Sequence, residues 1–317
     1  MIIRINLPAH LRMMFGRALP GPSDAVQSRD GAGQRIYILD EPVAEVNELA
    51  GRLTMGPNPT NAPPGDHGTG VACLAVGDQH GLATGAQIVS VPLVAGMTSQ
   101  QVKAQLQWIA AQEQGVPGCA VVNISQAMIP EFNTEIAALI AAGCVLVAAA
   151  GNANSPGLSY PASHPDVLAV AGCDAAGVKI DASRWAIDGR QRQVFAMGAG
   201  VETTEAEGGN QSMAGTSPAA ALVAGLAAMW CHAVGWYGKP LHIVDAIAGT
   251  ASPGVVSAPS GSNLRLAWAG WRIGGPWSDD AYRWACPDVA EQWGGTMLDH
   301  YFRYGAGEGR GLVEDAN

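Results

Sequence analysis

Between Ala214 and Cys231 the chain carries no charged residue and is dominated by Ala, Gly, Leu, Val and Met. A helix that is apolar on every side is either buried in a core or inserted in a membrane. This segment is rich in Ala and opens with Gly215, Thr216, Ser217 and Pro218, and no second hydrophobic segment accompanies it, so a buried central helix is expected and no membrane association. Ser217 suits the N-cap and Pro218 the first helical position, where its missing N–H costs nothing. The pattern therefore presents a hydroxyl at the positive end of a core helix.

Upstream, short apolar runs alternate with amphipathic ones. Arg35 to Leu39, Gln87 to Leu93, Cys119 to Ser125, Cys144 to Ala150 and Val167 to Gly172 read as buried strands. Ser99 to Gln114 places Val102, Leu106 and Ile109 on one face and stops at Gly115, and Glu131 to Ala142 stops at Gly143, so both are predicted helices. Residues 51–66, rich in Gly, Pro and Asn, read as a loop leading to His67, Gly68-Thr69-Gly70 and an apolar helical run from Val71 to Val76. Leu241 to Thr250 reads as a further helix and Ser262 to Ala269 as a short closing strand. Strands alternating with helices in this way predict βαβ units and a mostly parallel sheet covered on both faces, an α/β class.

Composition bounds the function classes. Hydrophobic residues make up 48% and charged residues 14%, the balance of a folded domain and not of a disordered chain. With 27 acidic against 17 basic residues the formal charge is −10, which argues against nucleic acid as a partner. The six cysteines form no C-x-x-C pair, and several sit in apolar runs, so buried thiols in a reducing compartment are expected. The first residues contain no apolar stretch of signal-peptide length, and a cytoplasmic location is the expectation. Three parts are anticipated: an N-terminal arm over 1–33, a catalytic body over 34–270, and an extension over 271–317. Trp268, Trp271, Trp277, Trp284 and Trp293 cluster around the last boundary and account for five of the nine tryptophans. That extension reads as a cover on the body, or as a contact surface for a peptide or partner.

Asp40, His67 and Ser217 sit at the ends of apolar elements, and Asn152 follows the strand that begins at Cys144. Nucleophilic attack by Ser requires a base for its proton, an acid to orient that base, and donors where negative charge develops. In an open α/β sheet the strand ends converge on one edge, so residues distant in sequence can meet there. The ordered motifs Ile38-Leu39-Asp40, His67-Gly68-Thr69-Gly70-Val71-Ala72, Ala149-Ala150-Gly151-Asn152 and Gly215-Thr216-Ser217-Pro218-Ala219 resemble the subtilisin-like serine proteases. Gly81 to Ala86, Val121 to Ser125 and Tyr160-Pro161-Ala162 agree with that resemblance, which covers roughly residues 34 to 270.

The resemblance implies a three-layer fold and an endopeptidase acting on peptide or protein substrates. Ser217 becomes the nucleophile, His67 the general base and then acid, and Asp40 the residue that fixes the His tautomer. Asn152 and the Ser217 N–H become the oxyanion hole. Substrate is expected to lie extended along Ser125, Gln126 and Ala127, with Ala149, Ala150 and Gly151 as the facing wall. Ala127 stands where the family often has Gly, and Ser159 is placed on the pocket floor, so a small or polar P1 side chain is expected. Asp66 is read as the cap of the helix carrying His67. Histidines 10, 80, 164, 232, 242 and 300 lack metal-like spacing and read as surface or structural; neither a metal nor a cofactor is expected. Asp40-Glu41-Pro42-Val43 is similar to a pattern in peptide-maturation subtilases of cyanobactin-type pathways. Two alternatives therefore stand beside hydrolysis: a maturation protease or macrocyclase acting on a precursor peptide, and a silent fold that binds peptides.

Overall fold

Short β-branched runs bounded by polar turns place the strands, and the all-apolar helix decides how they are covered. The computed structural model describes residues 8–14, 30–128, 130–186, 192–234, 239–253 and 265–267. In chain order the elements are α1 (Ala9–Met14), β1 (Arg35–Asp40), β2 (Leu53–Met55), α2 (Asp66–Val76), β3 (Gln87–Pro92), α3 (Ser99–Glu113), β4 (Ala120–Ile124), α4 (Asn133–Ala141), β5 (Cys144–Ala149), β6 (Leu168–Cys173), β7 (Gln193–Met197), β8 (Val201–Thr204), β9 (Asn210–Met213), α5 (Thr216–Val234), α6 (Pro240–Thr250), β10 (Ser252–Pro253) and β11 (Arg265–Leu266). Nine strands form one sheet in the order β10-β11-β7-β6-β5-β4-β1-β3-β2, and β8 and β9 pair as a separate hairpin. Every pairing in the large sheet is parallel except β10 with β11.

Side chains alternate across each strand, so β1 feeds both faces of the sheet. Ile36 and Ile38 pack with α2, α5 and α6 in one core, whereas Tyr37 and Leu39 join Val102, Leu106 and Ile109 of α3 and Ile136 and Leu139 of α4 in the other. The result is three layers, helix–sheet–helix. Residues Ala219 to Ala228 of α5 are almost completely buried, as an all-apolar helix requires. Of the N-terminal region, α1 lies against the body with Leu11 and Met14 inside the first core, and His10 Nε2 is 3.0 Å from the carbonyl of His80. His80 is itself buried and bonded through Nδ1 to Glu48 at 2.6 Å, so both histidines are structural. The Trp-rich extension at 271–317, most of the arm and most of the expected strand from Ser262 lie outside the described residues.

Two element boundaries differ from expectation in ways that matter for the site. The helix read as following a cap at Asp66 begins at Asp66 itself, so His67 stands in its first turn. Gly68 lies inside this helix, where Gly costs about 1 kcal/mol relative to Ala. Its lack of a side chain is what lets the helix approach β1: a Cβ there would meet the Glu41 carbonyl oxygen at 2.0 Å. Gly68→Ala must therefore displace backbone, and we expect a loss of about 1–3 kcal/mol of unfolding free energy, read from the urea midpoint. An unchanged midpoint would contradict this packing. The central helix begins at Thr216, which puts Ser217 second in the helix and not at the N-cap. Pro218 remains within the first four positions, whose N–H groups have no intrahelical partner.

Candidate active site

The topology reverses at β1: the chain moves from it to β3 and β2 on one side and, later, to β4, β5, β6 and β7 on the other. Such a switch point opens a crevice at the carboxyl ends of the strands. Asp40 ends β1, Ser125 follows β4, and Asn152 stands three residues beyond β5. His67 and Ser217 come from the first turns of α2 and α5, which pack on the same side of the sheet.

Asp40 is fully buried and His67 is about one-third exposed, with Nδ1 of His67 2.7 Å from Oδ1 of Asp40. The Glu41 N–H donates to that same Oδ1 at 2.7 Å and fixes the carboxylate. The contact defines the tautomer, since Nδ1 must carry the proton shared with Asp40 and Nε2 is left as the basic nitrogen. Burial pulls the His67 pKa down. The hydrogen bond and charge of Asp40, with a smaller contribution from Glu41, outweigh it and hold the pKa above the usual 6.5. The imidazolium is thus stabilised in the folded state.

Asp66 does not act as the helix cap assigned to it. The residue before α2 is Gly65, which has no side chain, and Glu41 Oε2 instead accepts the His67 N–H at 3.2 Å. Asp66 is the first helical residue, and its Oδ1 accepts the Ala206 N–H at 2.9 Å in the turn between β8 and β9. A carboxylate at the helix N-terminus is still present, and the macrodipole favours it there. The one that accepts a helix N–H belongs to Glu41, the residue next to Asp40.

Ser217 is buried, and its hydroxyl donates to the Ser125 carbonyl at 3.3 Å; among the described residues it makes no other hydrogen bond. The Asn152 carboxamide is oriented by Thr216, a residue that sequence reasoning did not single out. The Thr216 N–H and hydroxyl both donate to Asn152 Oδ1, at 2.9 and 3.1 Å, and the same hydroxyl accepts the Gly151 N–H at 3.1 Å. With its oxygen committed, Asn152 has only its two N–H bonds to offer a ligand. The Ser217 N–H, free at the start of α5, adds a second donor of the same kind.

The expected substrate residues divide by what their backbones have left to give. Ala150 donates its N–H to Val170, its carbonyl accepts from Ser159, and its methyl is buried, so it shapes the wall without offering a contact. Gly151 is likewise engaged at both ends, by Thr216 and Arg184. Ala149 is half-buried at the end of β5. Ser125 binds Asn123 through its hydroxyl and Ser217 through its carbonyl. Gln126 and exposed Ala127 form no backbone hydrogen bond among the described residues, which leaves them as an open edge for an extended peptide. The Ser159–Tyr160 pair ties the two walls together: the Ser159 N–H donates to the Ala150 carbonyl at 2.9 Å, and the Tyr160 carbonyl accepts from Met128 at 3.0 Å. Among the described residues no group of three or more His, Cys, Asp or Glu could hold a metal ion, and no helix is long and apolar enough to cross a membrane.

Comparison with known proteins matches residues 36–305 to the model of the subtilase family. Subtilisin-like protease 3 of Pseudogymnoascus destructans is 34% identical over 286 residues, covering 84% of this chain and 70% of the relative. Across three such relatives the chain spans between 62% and 70% of their length. The crystal structure of a cold-adapted subtilisin-like serine proteinase superposes with a TM-score of 0.71 at 26% identity, covering 83% of this chain and 98% of that one. The prenylagaramide maturation protease PagA, at 22% identity, shares the fold with a TM-score of 0.66 over 77% of this chain and 94% of its own.

Proposed function

This chain belongs to the subtilase family of serine endopeptidases, and we propose that it cleaves peptide bonds through an acyl-enzyme on Ser217. The observation that carries this reading is the Asp40–His67 contact, which leaves a basic Nε2 on a helix that packs against the one presenting Ser217. His67 takes the hydroxyl proton as Oγ bonds to the scissile carbonyl carbon. Its pKa, held above the ordinary value, fits a base that must become an imidazolium in the transition state. The oxyanion forms against the Asn152 Nδ2–H and the Ser217 N–H. His67 then passes its proton to the leaving amine, and water, activated by the same imidazole, releases the acid. In the unliganded protein Ser217 rests on the Ser125 carbonyl, and substrate binding brings hydroxyl and imidazole together, a tightening common at such sites.

Gln126 and Ala127 pair with the substrate backbone as an added strand. Cys73, Cys144, Cys173 and Cys231 are buried free thiols, which supports a reducing, cytoplasmic setting. Product masses distinguish release by water from transfer to an amine.

Peptide hydrolysis by the purified full chain, compared with Asn152→Ala, tests the proposal. Loss of one oxyanion donor is expected to lower kcat by about 10²- to 10³-fold with little change in KM. An unchanged kcat would remove Asn152 from the reaction.

A further inference from the structure

We propose that Arg184 makes this protease selective for an acidic side chain at P1, the residue whose carbonyl Ser217 attacks. This rests on the reading above, in which the first specificity pocket lies between Gln126–Ala127 and Ala150–Gly151 over Ser159. The segment carrying Arg184 is bonded along that wall: its N–H donates to Gly151 at 2.9 Å, and nearby Asn154 and Gly157 donate to Ala182 and Trp185, each at 2.9 Å. Gly151 has φ +102 and no side chain, and the space a Cβ would take is already held. Such an atom would lie 2.2 Å from the Ser159 hydroxyl and 2.8 Å from Cδ of Arg184. The arginine stem and the floor hydroxyl therefore share one side of Gly151. The guanidinium reaches across the loop to the Gly157 carbonyl at 3.1 Å.

That carbonyl is its one hydrogen-bond partner among the described residues, so most of its five N–H donors are uncommitted. Arg35, Arg52, Lys103 and Arg192 are all ion-paired with carboxylates. Among the described residues no carboxylate pairs with Arg184 or its neighbour Lys179, Asp181 on the same segment included, in a chain whose formal charge is −10. The two differ in what remains available. Lys179 Nζ spends its three donors on the carbonyls of Ile180 and Ser183 and on Asn154 Oδ1, and it lies 4.7 Å over the Trp185 ring. Its charge adds to the local field while its contacts brace the segment. Of the two, Arg184 keeps donors that no described residue takes, and its planar fork fits a carboxylate through two parallel hydrogen bonds. The Ser159 hydroxyl beside it supplies a further donor. A small or polar P1, as the sequence suggested, is narrowed here to Asp or Glu.

The test measures kcat/KM for peptides differing only at P1, in the pairs Glu/Gln and Asp/Asn, with Leu and Ala for reference. The parent is expected to favour an acid over its amide by about 10- to 100-fold, the range for a hydrogen-bonded charged group. Arg184→Met keeps the stem against Gly151 and removes the charge, and should bring that ratio close to one; a ratio taken within each protein cancels any general loss of activity. Should that variant not fold, the parent alone suffices, because its preference for Glu over Gln must shrink as salt is raised from about 0.01 to 1 M. A parent that cleaves the Leu or Ala peptides but shows no preference for acids overturns the role of Arg184 and leaves the protease reading intact. A folded parent that cleaves none of the peptides and does not react with a fluorophosphonate overturns both.

Discussion

Ser217→Ala is expected to lower kcat for peptide hydrolysis by about 10⁶-fold, the magnitude known for loss of the nucleophile in subtilisin itself. The hydroxyls on either side of it cannot replace it. The neighbouring hydroxyl of Thr216 is committed to Asn152 and Gly151, and that of Ser125 to Asn123. The fold should survive the change, because the Ser217 hydroxyl makes a single 3.3 Å hydrogen bond and Ala is a good helix former. The thermal midpoint should accordingly stay close to that of the parent while turnover vanishes, and KM-like binding of a substrate peptide should persist. A variant that retains turnover within about tenfold would place the chemistry on another residue.

Asp40→Asn carries the second large effect, a fall in kcat of about 10⁴-fold. The Glu41 N–H accounts for only part of the carboxylate's environment, and either rotamer of the amide fails. With its oxygen toward His67 it lacks the charge that stabilises the imidazolium, and with its NH₂ group there it imposes the wrong tautomer. The pH profile separates these losses from simple unfolding. In the parent, His67 is held above 6.5 because Asp40 and Glu41 outweigh burial, so kcat/KM rises with pH through a value above the ordinary one. Without the Asp40 charge, burial is opposed only by the smaller influence of Glu41, and the rising limb should move to lower pH. Stability follows the opposite sign. A raised histidine pKa contributes stability below about pH 6.5 that is lost as pH rises through the folded value, and that contribution should disappear in Asp40→Asn. A limb that stays in place would show that Asp40 does not set the His67 pKa.

The parts of this molecule legible in the sequence are those where local pattern and tertiary role coincide. The chargeless run from Ala214 to Cys231 could only be buried, and it forms the central helix. The strand from Arg35 ends at Asp40, the residue that contacts His67. Other features depend on who lies next to whom. The hairpin of β8 and β9 is built from Val-Glu-Thr-Thr and Asn-Gln-Ser-Met, too polar to read as strands, and it exists through its own pairing. Three-residue β2 rests on the edge of the sheet within a stretch whose Gly and Pro content reads as loop, and β7 is a short strand no periodicity separates from its surroundings. Glu41 as the carboxylate at the His67 N–H, Thr216 as the orienter of Asn152 and Arg184 against Gly151 are contacts across loops. No spacing along the chain encodes them. One signal was available for Thr216, since a hydroxyl directly before Ser217 enters any site built on that helix start.

The most direct measurement is reaction of the purified full chain with a fluorophosphonate, followed by mass spectrometry of the adduct. One phosphonylated residue is expected, Ser217, formed faster as pH rises through the His67 pKa and absent from Ser217→Ala. A folded parent that stays unmodified, or an adduct that persists in Ser217→Ala, would contradict it.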